Sequence, residues 1–403
     1  MLFIPIICYF INMKILFLKW ASFGNDYITK AFERAGVELS FFDFPQKEED
    51  TRHSEELATK VLFAIQEKGV DAVFSFNYFP VVAIAAKAAK VKYISWTYDS
   101  PYIQLYSRTI EYDTNYAFVF DQNEYNNLKV LGLNTVYYLP MAADTSYYDS
   151  ITISDKDHKI FDADIAMIGS MYNEKHNNLV RHFEGLDEYT SGYVSGIMAA
   201  QKEIYGADIL QQALTPEIVK NIQKVCPMYS TGDGFESASW TLSNYFLARK
   251  LTSMERFEYI EALSKKYDVT LYTPEKTPSL KVRNMGTVEY YKDSPKAIKC
   301  AKINLNITLR SIVTGIPLRA FDIMGCGGFL LTNYQADFDN FFVPDQDYVY
   351  FDSLNSLIDK AGYYLEHEDE RLRIAQSGYN KVKNQHTFDH RVKDMLNIVN
   401  MDI

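Results

Sequence analysis

Two hydrophobic patterns alternate along the first 140 residues of the chain. Short apolar runs bounded by turn-forming residues predict strands, and segments with apolar residues every three or four positions predict amphipathic helices. The predicted strands, in chain order, are KILFLKW, VELSFFDF, DAVFSFN, VKYISWTYD, YAFVFD and TVYYLP. Strands that alternate with helices in this way are typical of right-handed βαβ units, so the pattern predicts an α/β fold with a parallel sheet.

The alternation stops at a polar segment and then resumes. Residues 141–164 are rich in turn-forming side chains and are interpreted as an interdomain linker. A second α/β region follows, with predicted strands DIAMIGS, VTLYT, INLNIT, FLLTN and DYVYFD. We therefore predict a first domain over residues 13–145 and a second over 160–385, which carries a helical insertion at about 186–266. A C-terminal helix over 386–403 is expected, with the C-terminal helices packing back across the lobes.

Length and charge narrow the class of protein. The 403 residues favour two domains, since one ordinary core is smaller. The net charge of −11 argues against a general nucleic-acid binder, although it leaves room for a local basic pocket that holds one anionic ligand. The four cysteines, at positions 8, 226, 300 and 326, show neither a CxxC pair nor a zinc-ligand spacing. They are interpreted as reduced thiols of a cytoplasmic protein.

The first twelve residues, MLFIPIICYFIN, are apolar. They lack the basic start and the small-residue cleavage site of a signal peptide, and they are too short to span a bilayer. Because KILFLKW directly after Met13 has the pattern of a first strand, we favour Met13 as the natural start and residues 1–12 as an extension. No membrane span is expected, and peripheral membrane association is the alternative.

The stretch GIPLRAFDIMGCGGFLLTN, from Gly315 to Asn333, carries the clearest chemical signal. Pro317 fits the first turn of a helix that follows the predicted strand INLNIT. A helix N-terminus at the carboxyl end of a parallel strand binds anions through its free N–H groups and its dipole. Arg319 in the first turn can grip a phosphate, and Asp322, one turn later, can accept both hydroxyls of a ribose. Together they predict a nucleoside-diphosphate site.

Three glycines near the end of this stretch are expected to terminate the helix and to let backbones approach closely. They are Gly325, Gly327 and Gly328, and the helix is predicted from about residue 317 to 324. The alternative interpretation is purely structural: an Arg319–Asp322 surface ion pair on a helix that the glycines merely cap.

Eight segments, in order along the chain, carry a resemblance to a known family. They are SWTYDSPYIQLYS, FVFDQNEYNNLKVLG, YYLPMAAD, DADIAMIGSMYNEKHNNL, VRNMGTVEYYKDSPKAIKCAKINLNIT, GIPLRAFDIMGCGGFLLTN, YLEHEDERLRIAQSGYNKV and HTFDHRV. Through them the chain resembles the CgeB-type, spore maturation protein-like glycosyltransferases. The resemblance covers nearly everything from Met13 onward except the helical middle. It implies a GT-B fold, in which two Rossmann-like domains face each other across a cleft.

The resemblance also implies an activity. Such a protein would move a hexosyl group from a nucleoside-diphosphate sugar, with a UDP-sugar as the expected donor, to an acceptor hydroxyl on a protein, a glycan or a cell-surface or spore polymer. The donor would bind mainly to the second domain and the acceptor mainly to the first. Neither a metal ion nor a cofactor is expected. The sugar, the base and the oligomeric state stay open.

Further donor-site residues follow from the resemblance. IGSMYNEK looks like the diphosphate loop of the family, so the backbone N–H groups at Gly169 and Ser170 are expected to face the phosphates. Lys175 would add a cation there, or else be an ordinary solvated lysine. Gly315, in the loop that leads into the predicted helix, is also expected to contact the donor.

One position departs from the pattern of the related retaining transferases. Those enzymes carry two glutamates eight residues apart around this helix, and the later one holds the ribose. Asp322 stands at the later position, but Thr314 stands at the earlier one and is not acidic. Retention and inversion at the anomeric carbon therefore both stay open.

Catalysis needs a cation for the leaving diphosphate and, in an inverting enzyme, a base for the acceptor. Arg319 and Lys175 are the candidates for the first role. Asp99, in SWTYDSP at a predicted strand end among aromatic residues, is the candidate base. Asp26 in GND is a second candidate, with a helix N-cap as its alternative role.

Other motifs favour different interpretations. The Asp-x-Asp pairs at 162/164 and 345/347 are read as chance, and so no metal site is predicted. His386 and His390 are expected to be packing or surface residues. A dehydrogenase would need GxGxxG after the first strand, which KWASFGND lacks. The remaining alternative is a non-catalytic GT-B-like scaffold that binds a nucleotide or a sugar, which Thr314 keeps open.

Overall fold

The computed structural model describes residues 13–47, 49–228 and 232–401. These residues form two compact units. The first consists of residues 13–119, 125–139 and the chain from 388 onward, and the second consists of 120–124 and 140–387. The predicted first domain extends to residue 145, whereas the chain joins the second unit at residue 140. The predicted role of residues 1–12 lies outside the described residues.

The first unit is built on a six-stranded parallel sheet with the strand order β2-β1-β3-β4-β5-β6. Its strands are β1 (Lys14–Lys19), β2 (Glu38–Asp43), β3 (Ala72–Phe76), β4 (Lys92–Thr97), β5 (Asn115–Val119) and β6 (Val136–Tyr138). The connecting helices are α1 (Asn25–Arg34), α2 (Glu55–Lys68), α3 (Pro80–Ala89) and α4 (Gln122–Val130). Two 3₁₀ turns, Ile103–Tyr106 and Arg108–Glu111, lie between β4 and β5.

Every residue of β3 and of β5 is buried. A parallel strand that helices cover on both faces has no solvent side, so its apolar run is continuous and does not alternate. The helices show the expected start and stop signals. Pro80 opens α3, Ser54 caps α2 by accepting from the N–H of Leu57, and Gly69 ends α2 in the left-handed conformation. Local sequence therefore explains most of this unit.

The second unit has its own six-stranded parallel sheet, with the order β12-β11-β10-β7-β8-β9. Its strands are β7 (Ala163–Ile168), β8 (Val269–Tyr272), β9 (Arg283–Asn284), β10 (Ala301–Asn306), β11 (Leu330–Asn333) and β12 (Val349–Phe351). The α-helices are α5 (Thr145–Asp149), α6 (Asp155–Phe161), α7 (Glu188–Lys202), α8 (Leu210–Ala213), α9 (Pro216–Val225), α10 (Ala238–Thr241), α11 (Ala248–Ser264), α12 (Ser294–Cys300), α13 (Leu318–Gly325), α14 (Leu354–Glu366) and α15 (Glu368–Gln385). A π-helix, Leu242–Leu247, joins α10 to α11, and 3₁₀ turns cover Leu179–Phe183 and Ala336–Asn340.

The helical region between β7 and β8 packs around a hydrophobic cluster of its own, which includes Ile218, Ile222 and Leu247. A buried arginine anchors the region to the sheet. Arg310 follows β10, forms a two-pronged ion pair with Glu255 of α11 and donates to the carbonyls that end α7. The helical insertion predicted at about 186–266 thus corresponds to a distinct helical layer that an ionic contact holds in place.

The last helix, α16 (Phe388–Met401), belongs to the first unit. The ring of Phe388 packs against Tyr27 of α1 and Trp96 of β4, with ring centroids 5.6 Å and 5.8 Å away. Arg34 at the end of α1 holds Asp389 with two hydrogen bonds, of 2.7 and 2.9 Å. Residues from opposite ends of the chain therefore complete one hydrophobic core. Over the described residues, no helix has the length and apolar character needed to cross a membrane.

We predict that Phe388→Ala strongly destabilises the first unit. The ring is 2% exposed, and removing a buried aromatic side chain costs about 3–5 kcal/mol through lost burial and the cavity left behind. Urea unfolding followed by tryptophan fluorescence measures the change, because Trp96 lies against this ring. The matched control is Val130→Ala, at a position 87% exposed, which should change the free energy of unfolding by less than about 0.5 kcal/mol. Equal effects of the two substitutions would contradict the packing described.

Candidate functional site

The strand order of the second sheet reverses between β7 and β10. From there β8 and β9 extend on one side, and β11 and β12 extend on the other. Open parallel sheets bind ligands outside the carboxyl ends of their strands at such a switch point, where the two outgoing loops diverge. The loops that leave β7 and β10 carry the predicted donor residues Gly169, Ser170 and Gly315, and α13 follows the second loop. The topology therefore identifies the region that the sequence also indicated.

A buried arginine joins the two loops. The Nε atom of Arg256, on α11, donates to the carbonyl of Ile307 at 3.2 Å, and its other nitrogens donate to the carbonyls of Ile307 and Ser170. Its guanidinium stacks on Tyr172, 4.8 Å from the ring centroid. Gly169 makes room for it: its φ is +153°, and a Cβ there would lie 3.4 Å from the Arg256 Nη1 atom.

Two carboxyl groups lie close together at Ser170: Glu174 comes from the β7 loop and Glu275 from the loop after β8. The Ser170 hydroxyl donates to Glu174 at 2.5 Å and lies 3.1 Å from Glu275, which also accepts from the backbone N–H of Met171 at 2.9 Å. Burial, and then the neighbouring Glu174, raise the pKa of Glu275. The Ser170 hydroxyl and the Met171 N–H are thus already bonded to carboxyl groups in this structure.

Lys175 stands apart from this cluster. The Lys175 side chain is exposed. Its backbone carbonyl accepts a hydrogen bond from the Arg181 guanidinium. The structure therefore brings Gly169 and Ser170 together with carboxyl groups and with Arg256, rather than with Lys175. A diphosphate contact of Gly169, Ser170 or Lys175 stays a prediction.

Helix α13 begins after Pro317, whose extended conformation makes it the N-cap. Arg319 lies in the first turn, as the sequence suggests. Its Nη1 atom donates to the Ser294 hydroxyl at 3.0 Å and lies 3.5 Å from the Asp322 Oδ2 atom. About a quarter of the Arg319 side chain is exposed.

The Asp322 carboxylate is almost completely enclosed. Its Oδ1 atom accepts from the hydroxyls of Tyr148 at 2.8 Å and Tyr290 at 3.2 Å, whereas its Oδ2 atom accepts no hydrogen bond among the described residues and lies nearest to Arg319. Burial raises the pKa of Asp322, although Arg319 and the two phenols favour its ionised form. The predicted ribose contact would need at least one phenol to give up its bond to the carboxylate.

The glycines after Asp322 differ from the expectation in one respect. Gly325 is the last residue of α13 and does not terminate it. Its role is close packing, because a Cβ there would lie 2.6 Å from the Cβ of Ala143. Gly327, with φ +77°, makes the left-handed turn that ends the helix, and Gly328 packs against Asn304.

The loop before α13 is hydrogen-bonded to residues 121–123, at the start of α4. The buried Asp121 carboxylate accepts from the Val313 N–H at 2.7 Å and from the Thr314 hydroxyl at 2.8 Å. The N–H of Asn123 also donates to the Thr314 hydroxyl, at 3.1 Å. Gly315 lies so close that a Cβ there would be 2.8 Å from the Cα of Asp121. Gly315 is therefore required for packing, whatever the ligand.

Sequence reasoning missed Asp121 and Glu124, whose segment contributed only to the family resemblance. Asp followed three residues later by Glu at a helix start predicts a capping box, in which the Glu side chain bonds back to the helix entrance. Asp121 caps the helix by accepting from the Asn123 N–H at 2.8 Å and also binds the neighbouring loop, whereas the Glu124 Oε2 atom is buried without a hydrogen-bond partner among the described residues. Burial, and then the charge of Asp121, raise the pKa of Glu124 to about 8.

The candidate base, Asp99, lies in the first unit just after β4. It accepts from the Asn77 side-chain amide at 2.7 Å, and the Oδ1 atom of the same Asn77 side chain accepts from the Tyr98 N–H at 3.2 Å. Asn77 itself follows β3 and has a φ of +58°. The sequence places Asp99 in an aromatic neighbourhood, but its side chain is exposed in the structure.

The start of α1 differs from the expectation. Asp26 is not the N-cap of α1: Gly24 holds that position in the left-handed conformation, and Asp26 is an exposed residue of the first turn. Glycine fits there because the backbone needs a φ of +83°.

His386 is buried among the rings of Phe321 and Phe342, in line with a packing role.

The first Asp-x-Asp pair is occupied by local partners. Asp164 binds Lys302 at 2.7 Å, and Asp162 contacts the Nδ1 atom of His158 at 2.8 Å. His158, Asp162 and Cys300 have potential ligand atoms within 4.8 Å of one another. Burial and nearby aspartates raise the pKa of Cys300 to about 11, which opposes the thiolate form that binds metals.

The second Asp-x-Asp pair is a turn. Asp345 adopts a φ of +58°, and Asp347 accepts from the Val343 N–H at 2.9 Å and from the Ser377 hydroxyl at 2.6 Å. The Asp347 carboxylate is thus already occupied in joining this turn to α15.

Comparison with known proteins identifies the fold. A family model described as glycosyl transferase-like matches residues 256–397, which contain Arg256, Glu275 and all of α13. A search of curated proteins by sequence finds no match. Solved structures match over nearly the whole chain. HepE (Alr3699) from Anabaena in complex with UDP-glucose has a TM-score of 0.54 at 10% identity and covers 96% of this chain and 100% of its own.

Two further structures agree. Sucrose-phosphate synthase from Thermosynechococcus elongatus has a TM-score of 0.53 at 10% identity, with coverage of 96% of this chain and 98% of its own. A glycosyltransferase from Rickettsia africae has a TM-score of 0.50 at 10% identity, with coverage of 97% and 98%. At such identities the likeness establishes the fold. Together with the two parallel six-stranded sheets, it confirms the predicted α/β fold of the GT-B type.

We predict that Glu124→Gln removes a pH-dependent loss of stability. The pKa of Glu124 is about 8 in the folded chain and near the ordinary glutamate value of 4.5 in the unfolded chain, so the unfolded chain releases this proton at lower pH. Wild-type stability should therefore fall between about pH 5 and pH 8, at up to about 1.4 kcal/mol per pH unit, and the variant should lack this fall. Urea unfolding at pH 5, 6.5 and 8 measures it.

The matched control is Glu217→Gln, which changes an exposed glutamate in the first turn of α9. It should follow the wild-type pH profile. A profile of Glu124→Gln that also runs parallel to the wild type would show that Glu124 is ionised normally.

Proposed function

We propose that this protein transfers a sugar from a nucleoside-diphosphate sugar to an acceptor hydroxyl. The observation that carries the proposal is the group formed by Arg319 and Asp322 in the first turns of α13. This helix follows the strand next to the switch point, within the stretch that matches the glycosyl transferase-like model. The N–H groups, the dipole and the arginine there all favour an anion, as a diphosphate requires.

Residues of α13 would bind both the diphosphate and the ribose of a nucleotide. Arg319 and the helix N-terminus would hold the diphosphate and stabilise the charge that develops on it as the glycosidic bond breaks. Asp322 would accept the ribose hydroxyls once Tyr148 or Tyr290 releases its Oδ1 atom. Because this cation and dipole can supply the stabilisation by themselves, we propose a metal-independent reaction.

For the acceptor we propose Asp99 as the general base, held at the end of β4 by Asn77. Its exposure leaves it open to an incoming hydroxyl group. Deprotonation of the acceptor by Asp99 would accompany attack on the anomeric carbon and departure of the nucleoside diphosphate. This assignment describes an inverting enzyme. In the retaining alternative, the donor domain would act without Asp99.

The donor and acceptor can be narrowed further as proposals. We favour a UDP-hexose, a choice supported by the fold shared with HepE, whose crystal structure contains UDP-glucose. The acceptor would be a protein, a glycan or a cell-surface polymer, in keeping with the CgeB-type resemblance. The three described cysteines are free, which fits our proposal of a cytoplasmic location.

A thermal-shift screen with UDP-, GDP- and dTDP-sugars tests the proposal. A donor present at 100 times its dissociation constant should stabilise the protein by about 2.7 kcal/mol. Release of free nucleotide from the same donor then distinguishes an enzyme from a non-catalytic scaffold. Binding without release, over a broad panel of acceptors, would favour the scaffold, and no stabilisation by any nucleotide would contradict both.

We predict that Arg319→Ala weakens UDP binding about tenfold to a hundredfold, since a hydrogen bond to a charged group contributes about 1.5–3 kcal/mol. Isothermal titration calorimetry measures the change. Arg373→Ala is the matched control, because Arg373 is an exposed arginine on α15 whose own ion pair is a surface pair with Glu370. Equal affinities in the wild type and Arg319→Ala would refute the diphosphate role.

We predict that Asp99→Asn slows transfer about a hundredfold to ten-thousandfold and leaves the donor dissociation constant unchanged, because it removes a base without removing a donor contact. Asparagine keeps the size of the side chain, so the fold should persist. Turnover and calorimetric affinity are measured on one preparation. Asp26→Asn serves as the comparison: if that substitution slows transfer and Asp99→Asn does not, then Asp26 is the base.

A further inference from the structure

Three buried acidic residues lie around the loop that precedes α13. They are Asp121, Glu124 and Asp337, each less than 9% exposed. Asp121 is bonded to Val313 and Thr314, and Asp337 accepts from the Gln122 N–H at 3.1 Å while its own N–H donates to the Thr314 carbonyl. The environment of this loop is therefore acidic, in contrast to the cationic first turn of α13.

Glu124 is the member of this group whose bonding capacity is unused. Its Oε2 atom is buried and accepts no hydrogen bond from any described residue. The influences on its pKa are burial and Asp121, both of which raise it, and no cation acts in the opposite direction. An unsatisfied buried carboxyl group costs stability, by about 1–3 kcal/mol for a typical polar group. A structural role alone therefore gives no reason to keep a glutamate here.

The chemistry of this carboxyl group defines its ligand. A protonated carboxyl group both donates and accepts a hydrogen bond, and so does a sugar hydroxyl. A phosphate is a poor ligand, because the Asp121 and Asp337 carboxylates would repel it. A neutral, hydroxyl-bearing group is therefore the best match to the surroundings of Glu124.

The hydrogen bonds around the loop place Glu124 near the start of α13. Asp121 is bonded to Val313 and Thr314, and Glu124 lies close enough to Asp121 to be influenced by its charge. The same loop leads into α13, which carries Arg319 and Asp322.

We propose that Glu124 binds a hydroxyl of the donor sugar and that Asp121 positions the loop beside it. This proposal rests on the proposed function and adds to it the residue that recognises the sugar. Thr314, whose hydroxyl is bonded to Asp121, then acts as part of the support for this contact. The sugar would complete the hydrogen bonding that the Glu124 carboxyl group lacks in this structure.

The test compares UDP with UDP-sugars in three proteins: the wild type, Glu124→Met and Glu124→Gln. Calorimetry gives the dissociation constants for UDP, UDP-glucose, UDP-galactose and UDP-N-acetylglucosamine, and the sugar contribution is the ratio of the UDP value to the UDP-sugar value. Methionine fills the space without hydrogen bonding, so the ratio for the preferred sugar should fall about tenfold while UDP affinity stays within twofold. Glutamine, which can both donate and accept, should keep the ratio within about threefold of the wild type.

The outcomes separate the two proposals. Glu217→Met, at an exposed first-turn glutamate, should leave both constants unchanged. An unchanged ratio in Glu124→Met, or an equal loss of affinity for UDP and the UDP-sugar, would overturn the sugar contact while leaving nucleotide binding intact. A wild type that binds neither UDP nor any UDP-sugar, nor the GDP and dTDP forms, would instead overturn the proposed function and this inference with it.

Discussion

The second unit depends on one buried cation, the guanidinium of Arg256. It donates to the carbonyls of Ile307 and Ser170, which lie just beyond the ends of the two strands at the switch point. Burial disfavours this charge, and the neighbouring Tyr172, Glu174 and Glu275 favour it. Lysine could not replace it, because only arginine has a planar fork that reaches two separate carbonyls at once. The spacing of the two loops, and so the shape of the candidate site, follows from this contact.

Around that contact the polar residues have different functions. Asp121 and Asp322 are buried carboxylates with partners, one bonded to the loop before α13 and the other enclosed by two tyrosines. Arg319 has a partly exposed side chain, and among the described residues the Glu124 Oε2 and Asp322 Oδ2 atoms accept no hydrogen bond. Buried polar groups with partners maintain the geometry of a site, whereas groups without partners are the ones that a ligand can satisfy.

The sequence predicted well those features that local chemistry determines. Continuous apolar runs marked the parallel strands, and Pro317 with the glycines marked the limits of α13, so Arg319 and Asp322 could be placed in its first turns. The partners of these residues could not be predicted. Asp121 and Thr314 are 193 positions apart, and Tyr148 is 174 positions from Asp322, and periodicity carries no information about such pairs.

The position of α16 has a consequence for how the protein is made. Its 14 residues are the last helix of the chain, and side chains such as Phe388, Val392 and Leu396 are buried in the first unit. During synthesis, which proceeds at about 5–20 residues per second, the first sheet leaves the ribosome long before this helix exists. In the nascent first unit, the apolar face of α1 that contacts α16 stays uncovered until the whole second unit has been translated. The hydrophobic core of the first unit therefore cannot be completed until α16 has been translated.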